Sequence, residues 1–303
     1  MTILVAGATG LAGSAILRNL ALNNKSVIGI SSKDLNLLDR NATFEFLQKL
    51  RPKIVIAAAA RVGGIGANNS HPVEFLSHNL QIQSNLMDAS HEADVKKFVF
   101  LGSSCIYPKN CSQPIKEEYA MTGILETTNS AYAMAKLAGL ELIKSYRKEY
   151  GRKWISVMPT NLYGPNDNFN LEGSHAFPAF IRKFIEAQKA NSKEITLWGT
   201  GSPRREFLHV DDLARAIDIC INDYDSDLQI NIGTGVDLTI SELASKIAGA
   251  VGFKGQIKWD SSKNDGTPQK LLDISRVIKL GWSPVINLDD GIKSTVEWYK
   301  KNK

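Results

Sequence analysis

Hydrophobic positions set the rhythm of this chain before any single residue does. Thr2 to Ala8 is a short apolar run, TILVAGA, that passes through glycines into a helical pattern beginning at Ser14. A second run, SVIGI (26–30), is followed by an amphipathic helix over Arg40 to Leu50, and a third, KIVIAAAA (53–60), by the glycine loop Arg61 to Gly66. His71-Pro72 opens a long amphipathic helix to about Glu92, and KFVFL then leads into Gly102-Ser103-Ser104-Cys105. After a polar loop comes an Ala-rich helix containing Tyr132 and Lys136, and then the strand KWISVMP (153–159). Continuous apolar strands alternating with helices predict an α/β fold built on a Rossmann-type doubly wound parallel sheet.

Beyond residue 160 the pattern becomes irregular. A helix is predicted over 174–189, an apolar segment follows Arg204-Arg205, and QINIGTG (229–235) reads as a strand returning to the main sheet. SELASKIAGAVG and the amphipathic carboxy-terminal stretch are two further helices. The predicted layout is therefore interleaved. Residues 1–165 and about 209–235 form a dinucleotide-binding lobe, and about 166–208 with 236–303 form a smaller α/β substrate lobe.

Composition narrows the class. With 303 residues, 43% hydrophobic and 22% charged, the chain can bury an enzyme-sized core. No apolar run reaches membrane-span length and no secretory leader is legible, so a cytoplasmic protein with no membrane partner is expected. Three cysteines without ligand spacing predict neither a disulfide framework nor a metal site. The net charge of +5 is carried by scattered lysines, which argues against nucleic acid and suits a phosphorylated small molecule.

Chemistry concentrates at strand ends. Gly7, Gly10 and Gly13 lie between a strand and a helix, where glycines let a diphosphate approach the helix amino terminus. Where the second strand ends, an acidic residue would take the ribose hydroxyls of NAD and a cation the 2′-phosphate of NADP. Ser31, Ser32 and Lys33 come first here and Asp34 follows, leaning toward NADP(H) with NAD(H) left open. Tyr132 and Lys136 are four apart and share a helix face, so the lysine is expected to lower the phenol's pKa while Ser103 holds a carbonyl oxygen. The end of the 153–159 strand, at Pro159 and Asn161, is a further ligand position. Spacing alone gives Cys105 a packing role, makes His175 a helix-cap neighbour, and leaves His209 structural; His71, His78 and His91 share one predicted helix without a partner.

The segments AAAARVGGIGANN, FLGSSCIYPK, SVMPTNLYGPNDNF, GSPRREFLHVDD, NIGTGVDLTI and KNDGTPQKLLD together resemble the extended short-chain dehydrogenase/reductase family across essentially the whole chain. The Gly-x-x-Gly-x-x-Gly spacing resembles that family too. The branch it resembles most epimerises GDP-4-keto-6-deoxy-D-mannose at C3 and C5 and then reduces C4. The resemblance implies a reductase triad of Ser103, Tyr132 and Lys136, and Cys105 and His175 as the acid/base pair for epimerisation. It implies cofactor contacts from Gly7, Thr9, Gly10, Leu11, Gly13, Ser32, Lys33, Asp39, Lys136 and Pro159. Substrate contacts would come from Asn161, His175, Lys183, Trp198, Arg205 and Lys270. Such relatives carry arginines where this chain has Thr9 and Ser32, which weakens an inherited NADPH preference. A homodimer through the Tyr/Lys helix and the long helix before it is also implied. Two alternatives stay open: a related reductase or epimerase of another GDP-4-keto-deoxyhexose, as on the way to colitose, and a non-catalytic dinucleotide-sensing protein.

Overall fold

A computed structural model describes residues 2–23, 25–171 and 173–303. The first lobe runs β1 (Ile3–Ala6), α1 (Leu11–Leu22), β2 (Val27–Ile30), α2 (Arg40–Leu50), β3 (Ile54–Ala57), α3 (Ile65–Ser70), α4 (Pro72–Glu92), β4 (Lys97–Leu101), α5 (Ser130–Tyr150) and β5 (Ile155–Pro159). The chain continues through β6 (Asn161–Tyr163), α6 (Ala176–Lys189), β7 (Glu194–Trp198), β8 (Arg204–His209), α7 (Val210–Asp223), β9 (Ile230–Ile232), β10 (Asp237–Thr239) and α8 (Ile240–Val251). It closes with β11 (Gln256–Asp260), β12 (Gln269–Lys270), α9 (Ser275–Lys279) and α10 (Leu288–Asn302).

Among the described residues the main sheet has six parallel strands in the order β2-β1-β3-β4-β5-β9. Its apolar runs are buried on both faces because successive side chains point opposite ways. Ile3, Val5, Ile54 and Ile56 pack toward Ala15, Ile16 and Leu20 of α1 and Leu213 to Ile221 of α7. Leu4, Ala6, Val55 and Phe98 face Leu47 of α2, Leu86 and Met87 of α4, and Ile143 of α5. Each fully buried aliphatic side chain contributes about 1.5–3 kcal/mol, so the sheet needs helices on both sides.

The second lobe packs α6, α8 and α10 around Leu197 and Phe207. β8 is the hinge between the lobes. It pairs in parallel with β6 and β12, antiparallel with β10, and runs directly into α7 on the first lobe. β6, β10 and β12 are two or three residues long, too short to show an alternation in the sequence. The run expected to continue to Ala60 leaves the sheet after Ala57, and α3 occupies part of the glycine loop.

One stretch assigned to the substrate lobe packs elsewhere. Val277 and Trp282 are buried in the core of the first lobe, with Ile274 and Leu280 against it. Trp282 Nε1 donates to Asp212 O at 3.2 Å, and the buried Asp212 carboxylate accepts from the N–H groups of Val285 and Ile286. These bonds draw the segment onto α7, a long-range contact that local periodicity does not encode.

Candidate active site

The glycine turn forms the first wall. Gly7 and Ala8 both donate their N–H to Ile30 O, at 2.8 and 2.9 Å, which curls the chain back over the end of β2. A Cβ on Gly13 would sit 2.1 Å from Gly7 O, so only glycine lets α1 start this close to the turn. Gly10 caps α1 with no side-chain bond, so no capping side chain occupies the N–H groups of the first turn. These features fit the diphosphate of NADP(H). Thr9 and Leu11 border the turn, and Asn166 Nδ2 reaches across to Ser14 Oγ at 3.1 Å.

At the end of β2, Asp34 Oδ2 accepts from the N–H and hydroxyl of Ser31 at 2.8 and 2.7 Å. Those bonds hold its carboxyl below the usual range, so a charged carboxylate stands beside exposed Ser32 and Lys33. Asp39, expected at the cofactor, accepts from Ala42 N–H at 3.0 Å as the N-cap of α2. Pro159 ends β5, paired with Ile232 of β9.

The second wall is β4 and α5. Gly139 lies seven residues after Tyr132 on the same helix face, and a Cβ there would be 2.4 Å from Phe100 Cζ. Its missing side chain brings α5 down onto β4. Lys136 consequently reaches Leu101 O at 2.8 Å, and Tyr132 hydrogen-bonds with Ser103. Gly139→Val is expected to cost at least about 1–3 kcal/mol of stability by overpacking and to lower reductase activity, as read by urea unfolding and initial rates. Wild-type values for both would remove Gly139 from this role.

Electrostatics here correct one expectation. Lys136 does not draw the Tyr132 phenol down: burial drives that pKa well up, the Cys105 charge adds to the rise, and only the Ser103 hydrogen bond opposes it. Burial also pushes Lys136 down to about 8. Both groups lose hydration, and the ammonium is turned toward the Leu101 carbonyl, with its nitrogen 5.8 Å from the tyrosine ring centroid. The phenol is therefore held protonated, ready to give a proton to an alkoxide.

A second acid/base set adjoins the first. Cys105 follows Ser103, whose Oγ accepts its N–H at 3.2 Å. Lys270 Nζ is 3.7 Å from Cys105 Sγ and is itself buried. His175 lines the cleft as the N-cap of α6; water reaches its outer side, yet surrounding protein lowers its pKa, with Lys270 adding to the effect. The imidazole is thus neutral at neutral pH and able to accept a proton. Lys270, expected at the substrate, lies near Cys105 Sγ and also bears on His175. Its strand, β12, lies beside β8, where the fully buried Glu206 carboxylate accepts N–H bonds from Gly235 at 2.6 Å and Leu272 at 3.1 Å.

Toward the second lobe, exposed Trp198 has Lys183 Nζ 5.5 Å from its ring centroid and Lys263 Nζ 5.7 Å away. An exposed indole between two cations suits a base joined to a diphosphate. Sequence reasoning missed Lys263, since its place beside Trp198 depends on β11 pairing with β7. Arg205 is directed by Arg204 O at 2.8 Å, and burial lowers its pKa. Asn161 Nδ2 donates to Glu206 O at 2.9 Å, joining β6 to β8. His209 is buried with Nδ1 accepting Asp211 N–H at 3.2 Å, as its structural reading required. His91 has partners after all: Arg152 Nε donates to its Nδ1 at 3.1 Å, and its ring packs on Tyr146 and Tyr150.

Among the described residues no cluster of side chains could hold a metal ion, and no helix is long and apolar enough to cross a membrane. The sequence matches the NAD dependent epimerase/dehydratase family model over residues 3–233. It is 47% identical to a GDP-L-fucose synthase of Escherichia coli (strain K12), over 99% of this chain and 97% of that protein. A solved GDP-6-OMe-4-keto-L-xylo-heptose reductase from C. jejuni superposes with a TM-score of 0.94 at 33% identity, covering 100% of this chain and 98% of the other. A GDP-L-fucose synthetase from Naegleria fowleri bound to NADP gives 0.91 at 31% identity, over 99% of this chain and 94% of the other.

Proposed function

The chain belongs to the NAD dependent epimerase/dehydratase family, and we propose that it converts GDP-4-keto-6-deoxy-D-mannose to GDP-L-fucose by epimerising C3 and C5 and then reducing C4. The observation that carries this reading is that two acid/base sets face one cleft. Ser103 and Tyr132 hydrogen-bond with each other, and next to them Cys105 and His175 share Lys270.

The 4-keto group acidifies the hydrogens on C3 and C5. Inverting either carbon needs a base on one face of the sugar and an acid on the other. Cys105 and His175 fill those two places, with Lys270 helping to keep the imidazole neutral. Ser103 then holds the C4 oxygen and Tyr132 gives it the phenolic proton as the alkoxide forms. NADPH, which the glycine turn of the first lobe would hold, would supply hydride to C4. Lys183, Trp198 and Arg205 hold the GDP moiety, with the first lobe for the dinucleotide and the second for the sugar nucleotide.

A homodimer belongs to the same proposal. α4 and α5 lie side by side, and Met134 is exposed on α5, where a second copy could pack. A cytoplasmic location fits three free cysteines.

Incubating the purified protein with GDP-4-keto-6-deoxy-D-mannose and either NADPH or NADH tests the function. Loss of nicotinamide absorbance with GDP-L-fucose as product is expected. Slower rates with NADH would assign Lys33 to the 2′-phosphate; equal rates would mean that Asp34, with Thr9 and Ser32 uncharged, removes the discrimination. No oxidation with either cofactor by the folded protein would overturn the assigned sugar. A different sugar product would move the reading to another GDP-4-keto-hexose, and nucleotide binding without turnover to a sensor.

A further inference from the structure

Asn129 does not do what its position in the chain predicts. It is the N-cap of α5, where an asparagine ordinarily accepts a bond from an N–H of the helix's first turn, yet its side chain makes no capping bond. It turns instead to Cys105, with Nδ2 3.4 Å from Sγ. Its Oδ1 is buried and has no hydrogen-bond partner among the described residues, so the sulfur is the contact that directs the amide there.

The turn carrying it is anchored from behind. Residues 127–129 form a short 3-10 turn whose N-cap, the buried Glu126, accepts from Thr128 N–H and pairs with Lys109 at 2.9 Å. Cys105 Sγ therefore stands between a neutral donor fixed by this turn and the Lys270 cation at 3.7 Å. The other charged or titratable groups acting on the sulfur are Tyr132 and Arg205.

We propose that Asn129 is a positioning residue for Cys105: its amide N–H aims the sulfur into the cleft and stabilises it as the thiolate that proton exchange on the sugar requires. An amide that leaves a helix uncapped to reach one sulfur is organised for that sulfur. The part played in sugar chemistry rests on the epimerase reading above; the effect on the thiol does not.

The test measures alkylation of Cys105 by iodoacetamide against pH, without sugar, in a Cys111→Ser background; Cys220 is buried and out of reach. In Asn129→Ala the midpoint is expected to rise by about one pH unit, with about a tenfold slower reaction at neutral pH. Asn129→Asp should raise it further, because a second anion beside the sulfur disfavours the thiolate. Aspartate is also a good N-cap, so this variant should be as thermally stable as the wild type or more so. The order wild type, Ala, Asp in thiol reactivity thus departs from the order in stability, which a purely structural role cannot produce. An unchanged midpoint in both variants, or midpoints that follow thermal stability, would overturn the proposal. Deuterium uptake at C3 and C5 should fall in the same order while NADPH affinity stays within twofold; loss of NADPH binding in Asn129→Asp would equally overturn it. Because alkylation needs no sugar, failure of the assigned substrate would leave this first result standing on its own.

Discussion

Replacing Tyr132 by phenylalanine should abolish reduction at C4 while leaving proton exchange at C3 and C5 intact. The phenol hydrogen-bonds with Ser103, and burial holds its proton on at neutral pH. Removing one hydroxyl takes away that acid with little change in packing. General acid catalysis of this kind contributes about 10²–10⁴-fold, and a loss of that size is expected in NADPH oxidation. Deuterium from solvent should still enter the sugar at C3 and C5, since Cys105, His175 and Lys270 are untouched. Mass spectrometry of the recovered sugar nucleotide reads the two activities separately. Reduction at the wild-type rate would remove Tyr132 from the mechanism, and loss of both activities would mean that the two sets do not act independently.

The reverse separation is expected at the second acid/base set. Cys105→Ser exchanges a thiol for a hydroxyl that scarcely ionises, and His175→Gln removes the neutral base. Each should lower deuterium uptake at one or both carbons by about 10²–10⁴-fold. Lys270→Met adds a test of sign. Burial and the Lys270 cation both lower the His175 pKa, so deleting the cation must raise it. The acid limb of the exchange profile should therefore move to higher pH in Lys270→Met, because more of the imidazole is protonated at a given pH. A limb that moves the other way, or not at all, would contradict the shared-cation arrangement.

Much of the site was legible because it hangs on local rules. A buried parallel strand reads as a continuous apolar run, and the glycine turn, Ser103 and Cys105 each follow such a strand directly. Tyr132 and Lys136 fall on one face through helical spacing alone. What could not be read are contacts between residues far apart in the chain. Cys105 and Lys270 are separated by 165 residues. Their meeting depends on β12 lying beside β8, and a two-residue strand carries no pattern.

The sequence by itself determined the doubly wound sheet, the helices covering it, and the presence of the tyrosine, lysine and serine. Periodicity and glycine placement are local, and burial of apolar area enforces them. The tertiary structure alone decided the charge states. Spacing suggested a lysine that activates a phenol; the folded protein desolvates both, raises the phenol and brings Lys136 down to about 8. It also decided that Lys270 serves Cys105 and His175, and that Asn129 faces a sulfur instead of its own helix. A pKa depends on how much water and which charges surround a group, and those are properties of the assembled fold.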